Sequence, residues 1–595
     1  MFMNILVVIF VLAVGYAWMV RGIFNAMIHA LCVFVAGAVA FGFWEPLALI
    51  LVNLSPERGF FSFIESVAWG VALVVPFAVV LILLRIATDK LIPNNIKNNS
   101  MVDYAGGAVF GIATGIISAG ILVISIGNMR VSTEFMGYQP LFYSADRAVG
   151  AGSLVKNDTL WIPVDSIVSK TYGNLSQGSM STEQPLAYWY PELELTGFAS
   201  RVSPDGMGRN ALRPKDFSIR GAYTVGPESG VESTELLKID GRSEPQRYVD
   251  INEQRVGKAR IFGYIVEFEA GAKERGKRGA GQLIVSNGHV RLLAEDDATG
   301  ETFTVFPSAV ISESSEPGQF GRWRFDANDV YISSTGGKSK VPMAFEYIVP
   351  AGSTPVALFV KNIRVSTDEL AKPVNYPSTT RRDRVVPTGS ILRGQAPEVE
   401  YEDKYTVTYD TSNVDDEFFD VSARMLDILG MQSARRGFTV DDNQLVVGGQ
   451  GIWDVKSEVG RKNAGVSKKL RVERYAIADD QALLKLDVSA NSPFGLLTEA
   501  AQIAPLDQPV KVIDTMGNEY DAIGYEYKDA SEMRIRYTLG NTLSGLDDTP
   551  SLSTTRADQR MRLMFIVTKG VEIEKFVIGD TLIAEFTPPI DATGF

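Results

Sequence analysis

DYAGGAVFGIATGIISAGILVISIG, running from Asp103 to Gly127, decides how the rest of this chain is read. After Asp103 it carries no charge, and it exceeds the roughly 20 apolar residues that cross a bilayer as one helix. Gly107, Gly111 and Gly115 recur every fourth residue, so a helix places them on one face. A glycine in a soluble helix interior costs about 1 kcal/mol relative to alanine. A face built of glycines is therefore expected where a second helix backbone packs closely. The expected neighbour is the second span, through Ala36, Gly37 and Ala40, or the same helix in another subunit.

Working outward, three more apolar segments precede Arg130, at about 4–20, 22–43 and 60–84. The first lacks a basic n-region, and Arg21 follows it where a signal peptide would have a small-residue cleavage site. It reads as a retained helix. Glu45-Pro46 is expected to end the second span. Arg85, Lys90 and Lys97 crowd the loop between spans three and four, so the positive-inside rule puts that loop and Arg21 in the cytoplasm. Four crossings then place the N-terminus and the soluble portion outside, in the periplasm if the membrane is a bacterial inner membrane.

Charge supports that division. Residues 1–130 hold six Lys/Arg and five Asp/Glu, for a net +1, against −13 for the whole chain. The remainder is −14, which disfavours nucleic acid and anionic lipid as bulk partners. The only cysteine, Cys32, rules out an intramolecular disulfide and a cysteine-based zinc cluster.

GYAWMVRG (15–22), the small-residue helix ending FWEPLA, and VDYAGGAVFGIATG (102–115) resemble the colicin V production protein (CvpA) family. The resemblance extends from the N-terminus to about Arg130. It implies a four-span membrane domain with a glycine-rich last helix, and a link to colicin V export and envelope maintenance. Some relatives carry an extracytoplasmic serine protease after the fourth helix.

The residues for that chemistry are missing here. The soluble portion has one histidine, His289, and no GxSxG or GDSGG segment. His289 follows Asn287-Gly288 and is expected to be a surface turn residue. EDDATGE (295–301) reads as a solvated hairpin tip rather than a calcium loop, and STGGKSK (334–340) lacks the first glycine of a phosphate loop. AKERGKRGAG (272–281) is basic and reads as a solvated loop, or one touching an anionic partner. No catalytic, cofactor or metal residues are assigned. In the membrane segment, Glu65 and Asp103 are the candidate polar sites, because intramembrane carboxylates are functional by default. Glu65 also lies only about 7–8 Å into its span by helical rise, close enough to reach the interface.

The fold class expected is an α + β membrane protein. An N-terminal four-helix transmembrane bundle (1–130) precedes a mainly-β extracytoplasmic region with two tandem Ig-like β-sandwiches. Residues 131–260 are expected to be a juxtamembrane region of irregular β with one short helix near 160–176. The first sandwich is placed at 261–370, a linker at 371–417, a helix plus β extension at 418–480, and the second sandwich at 481–595. FFDVSARMLDILGMQ (418–432) has helical apolar spacing. The two sandwiches are read as an internal repeat: Tyr264, Val266 and Phe268 fall on Leu484, Leu486 and Val488, and YIVPAG (347–352) on FIVTKG (565–570).

The function expected is a non-enzymatic envelope protein presenting β modules for binding or scaffolding. Its partners would be the lipid bilayer, an envelope protein, or other copies of itself through the transmembrane helices. The rival reading is a channel or transporter with a regulatory soluble region.

Overall fold

A computed structural model describes residues 2–592, apart from 57–59, 93–99, 130–134, 144–153, 158–159, 179–184, 201–210, 240–247, 275–280, 326–329, 333–336, 394–400, 404–405, 414–418, 423–437, 442–443, 457–469, 493–503, 554–555 and some single positions. Four long apolar helices come first: α1 (Phe2–Met19), α2 (Ile23–Leu54), α3 (Phe63–Leu91) and α4 (Ser100–Gly127). Each is long and apolar enough to cross a membrane. A mainly-β region with several sheets follows.

Gly22, at a φ of 86°, reverses the chain in the short turn between α1 and α2, a conformation glycine adopts without a Cβ penalty. α2 does not stop at Glu45-Pro46. It continues through Pro46 to Leu54, because LALILVNL offers a further apolar face that packs. α2 and α3 form a long antiparallel hairpin, α4 packs along α2, and α1 packs along α4.

Residues 131–260 are more helical than their turn-rich sequence suggests. VDSIVSKTYGNLSQ forms α5 (Val164–Gln177), with Val164, Val168 and Tyr172 buried. YWYPELELTGF, expected as irregular β, instead supplies α6 (Leu186–Trp189) and α7 (Leu193–Ala199). Their aromatic and leucine side chains are buried on the helices, and that packing outweighs weak local propensity.

The first β unit begins earlier than 261. Its strands are β1 (Phe217–Val225), β2 (Lys258–Phe268), β3 (Val290–Asp296), β4 (Thr302–Val305), β5 (Ala309–Glu313), β6 (Phe320–Arg324), β7 (Val341–Pro350), β8 (Ser353–Val360) and β9 (Ile363–Ser366). One sheet runs β6-β5-β7-β2-β1 and the other β9-β8-β3-β4. Alternation sends Tyr264, Val266 and Phe268 inward to meet Leu292, Ala294, Leu358 and Val360 in one core between the sheets.

The second unit holds β10 (Gln481–Asp487), β11 (Val510–Asp514), β12 (Glu519–Lys528), β13 (Met533–Tyr537), β14 (Arg560–Thr568), β15 (Glu572–Ile578) and β16 (Thr581–Asp591). Its pairing repeats that of the first unit. Val266 pairs with Met343, and at the equivalent place in the second unit Leu486 pairs with Leu563. Leu292 pairs with Leu358, and Val512 pairs with Phe576. The order β9-β8-β3-β4 thus reappears as β16-β15-β11-β12. One difference has a local cause. In the first unit Pro307 lies between β4 and β5, where a proline cannot donate to a ladder. In the second unit the equivalent path is the single strand β12, bulged between Ala522 and Gly524, which pairs β11 with its first half and β14 with its second.

Residues 372–393, part of the linker expected at 371–417, are instead folded onto the first unit. Thr379–Val385 forms a helix capped by the Ser378 hydroxyl, and Arg382 from it is fully buried against Glu346 of β7. Arg322 reaches the same carboxylate at 2.7 Å, and the two guanidinium groups hold Glu346 down to about 2 against the opposing effect of burial. The helix expected at 418–432 is not what the described part shows. Phe419–Ser422 is a strand paired to β10, the backbone of that edge being satisfied by the ladder; residues 423–432 lie outside the described residues.

Candidate functional site

The glycine face of α4 has a defined neighbour, and it is α1. A Cβ on Gly107 would stand 2.8 Å from the Trp18 carbonyl oxygen, and one on Gly111 would stand 2.9 Å from that of Gly15. A Cβ on Gly115 would stand 3.0 Å from the Cα of Val11. The three glycines therefore form an intramolecular seam. Span two, expected there, uses its small residues elsewhere. Ala36 and Ala40 pack near Ile121 and Ile124, and Gly37 makes room for Tyr172 of α5, whose hydroxyl donates to the Phe34 carbonyl at 3.1 Å. Sequence spacing identified the seam but carries no information on which helix fills it.

At the end of the helices away from the β region, the Trp18 ring stacks on His29 at 4.0 Å. The guanidinium groups of Arg21 and Arg85 lie 4.8 and 5.4 Å from the centroid of the same ring. Such cation–π contacts gather Arg21, in the turn after α1, and Arg85 of α3 at one end. Asp103 is half-buried in the first turn of α4, where the helix dipole favours a carboxylate.

Glu65 sits at the other end, buried in the first turn of α3. Its Oε1 accepts the Ala211 N–H at 3.1 Å, and its Oε2 lies 3.8 Å from Arg213, whose Nη2 also donates to the Ser55 carbonyl. Glu65 thus ties the β region to the helices. Glu45 does the same from α2, meeting Arg364 of β9 at 3.2 Å.

Between these two ties lies an apolar dock. The outer face of the β9-β8-β3-β4 sheet presents Leu293, Ala357 and Phe359 to Trp44, Ala48 and Val52 of α2. Trp44 is 1% exposed and donates its indole N–H to the Trp69 carbonyl at 2.9 Å. Tyr190 bridges the two sides, 5.3 Å from Trp44 and 5.6 Å from Phe359 by ring centroids. Arg364 covers Trp189 at 4.0 Å, and Arg291 covers Phe359 at 4.1 Å. Beside them Glu192 accepts from the Thr304 hydroxyl at 2.7 Å. Burial, aided by the nearby Glu194, pushes the Glu192 carboxyl up from 4.5 to about 7. Sequence reading missed this dock, since its residues come from four separated segments.

The two β units meet along a second, polar seam. Ser339 donates its N–H to the Glu519 carbonyl and accepts the Asp521 N–H at its hydroxyl, both at 2.7 Å. A small cleft lies there, lined by Lys273, Ser339, Gln481 and Asp521. Burial pushes the Lys273 ammonium down to about 8 and the Asp521 carboxyl up. Most of the basic loop at 272–281 lies outside the described residues.

His289 is not a surface residue. It is 1% exposed, and its Nδ1 accepts the Ser286 N–H at 3.1 Å. The Asn287–His289 turn is pressed into the structure at Gly288, where a Cβ would collide with the Ala199 carbonyl. EDDATGE is a hairpin tip, closed by Asp296 accepting from the Ala298 and Thr299 N–H groups. Among the described residues no group of three or more His, Cys, Asp or Glu converges as a metal site.

Two outcomes follow from this geometry. Gly111→Leu drives a branched side chain into the α1 backbone, and overpacking of this kind costs about 1–3 kcal/mol. Its melting temperature in detergent should fall, whereas Val109→Leu, on the exposed side of α4, should melt like the wild type. Glu192 binds its proton more tightly folded than unfolded, so its contribution is fully present below about pH 4.5 and is lost as pH rises through about 7. Glu192→Gln should flatten the fall in stability between about pH 5 and about pH 8 and melt higher than wild type at the upper end. An unchanged pH slope would show that Glu192 does not titrate in the dock.

No family model matches this chain, and no curated protein matches it significantly.

Proposed function

We propose that this chain is a multi-pass protein of the bacterial inner membrane that holds two immunoglobulin-like β-sandwiches rigidly on the extracytoplasmic side. There they bind or scaffold another envelope protein, without catalysis, in a role like that implied by the resemblance to the colicin V production protein family. The observation that carries this reading is the dock. Sheet face, helices and the ion pairs at Glu45 and Glu65 join the first β unit to the apolar helices over a continuous buried surface. A flexible tether would need none of this. Glu65, the residue a conduit would use, is engaged by Ala211 and Arg213, which supports an anchor over a channel. Arg21, Arg85 and Lys90 lie at the end opposite the β region, in keeping with the positive-inside rule.

Orientation is tested with single cysteines at Asp296 and at Lys90 in a Cys32→Ala background. A membrane-impermeant maleimide should label Asp296→Cys in cells whose outer membrane has been permeabilised, and Lys90→Cys only after lysis. Labelling of Lys90→Cys alone would reverse the topology and remove the β units from the envelope.

A further inference from the structure

Arg291 is a buried cation without an anion. It is 4% exposed, and among the described residues no carboxylate lies within ion-pair distance of it. Its Nη1 reaches the Lys361 carbonyl only at 3.4 Å, its Nη2 has no hydrogen-bond partner, and its guanidinium lies over the Phe359 ring. Enclosing a charge this way is costly unless it is paired.

Strand register shows what stands beside it. Arg291 of β3 is directly opposite Phe359 of β8, and Leu293, two positions on, is opposite Thr304 of β4. Alternation puts Arg291 and Leu293 on the same outer face, so Thr304 is a diagonal neighbour of Arg291. Such neighbours stand about 7–8 Å apart, within reach of a long side chain. Thr304 is the residue whose hydroxyl donates to Glu192 Oε2 at 2.7 Å. The Glu192 carboxyl, just before α7, is therefore held next to the guanidinium while bonded elsewhere. The other charges of the dock have partners of opposite sign or a phenol. Glu194 of α7 takes Lys156 at 2.9 Å, and Glu45 takes Arg364 at 3.2 Å. Glu295, farther along β3, accepts the Tyr188 hydroxyl at 2.6 Å.

We infer that Glu192 and Arg291 are the two halves of a proton-controlled ion pair in the dock. While Glu192 keeps its proton the pair is open, as in this structure; when the proton leaves, the carboxylate accepts Arg291 Nη2 and keeps Thr304. One switchable contact thereby links α7, whose Phe198 and Gly197 pack on Gly127 at the end of α4, to the sheet face that meets α2. The direction follows from burial, which raises Glu192 from 4.5 to about 7 while Arg291 stays charged, lowered only to about 10. A carboxyl raised on folding stabilises most below its unfolded value and loses that contribution as pH rises through the folded one. Acid therefore favours the dock with the pair open, and closure offsets part of the cost of ionisation at higher pH. The inference rests on the proposed extracytoplasmic placement only for the compartment whose pH is sensed.

The test uses full-length protein in detergent, by infrared difference spectroscopy between about pH 5 and about pH 8.5 and by structure determination at both ends. The unaltered protein should lose a protonated-carboxyl band with a midpoint near 7, a band missing from Glu192→Gln. Arg291→Gln removes the cation that favours the carboxylate and should move the midpoint up by about one pH unit or more, whereas Arg291→Lys should stay closer to the unaltered protein. If Arg291→Gln does not fold, the two structures of the unaltered protein decide. The Glu192 carboxyl should meet only Thr304 at the lower pH and should lie within hydrogen-bond distance of Arg291 Nη2 at the higher. A midpoint unmoved in Arg291→Gln overturns the inference, as does a Glu192 carboxyl that stays clear of Arg291 at the higher pH. So does the lack of a titrating band assigned to Glu192. None of these results depends on orientation, which the maleimide labelling tests separately.

Discussion

Burial of Trp44 is the contact on which this architecture depends. A side chain of that size, 1% exposed, has to be enclosed from several directions, and here the enclosing surfaces come from α2, α3, α6 and the outer face of a β-sheet. Its one polar atom is satisfied by the Trp69 carbonyl, so the indole can sit in an apolar site without leaving a donor unpaired. Removing it would open a cavity shared by the helices and the β unit, of the class that costs about 3–5 kcal/mol. The flanking ion pairs add direction more than energy. Glu45–Arg364 is partly exposed and contributes little, while the more buried Glu65 fixes where the chain entering the first β unit lies.

The β region follows from a different constraint, that of matched register. A sheet with one buried face cannot slip by a single position without turning its apolar set outward. Two units that preserve the Val266–Met343 and Leu486–Leu563 pairings at a constant shift along the chain therefore share an inside and an outside. Their outer faces have diverged. In the first unit one outer face carries the buried Glu346–Arg382 pair and the segment folded over it, and the other carries Leu293 and Phe359 for the dock. The same plan thus serves a structural core twice, and only the first copy is fitted to the helices.

Much of this was legible in the sequence, and the gaps have physical reasons. Four apolar helices, the glycine seam on α4, and the strands of both units follow from composition and from the helical and strand periodicities of the apolar residues. Those periods report which face of an element is buried, not what buries it. Hence the seam on Gly107, Gly111 and Gly115 was visible, while its partner α1 was not. Pro46 reads as a terminus because proline removes a helix hydrogen bond; packing of Ala48 and Val52 carries α2 past it. YWYPELELTGF reads as neither helix nor strand alone and becomes helical with Trp44 and Tyr138 packed around it. His289 looked like the tip of a turn, but the turn is clamped by Ala199, a contact from a distant part of the chain. For Glu65 the sequence leaves two readings open because the partner that its carboxylate meets, the Ala211 N–H, comes from a distant segment.

We propose that the helices and the first β unit, joined at Trp44, move as one rigid body. Pulsed electron–electron resonance between spin labels at Leu31 of α2 and Thr299 at the β3–β4 hairpin tip tests it most directly. One narrow distance distribution, unchanged between detergent and bilayer, is the predicted result, with Trp44→Ala broadening it. A broad distribution in the otherwise unaltered protein would contradict the claim, because it would mean that the β units swing on a tether.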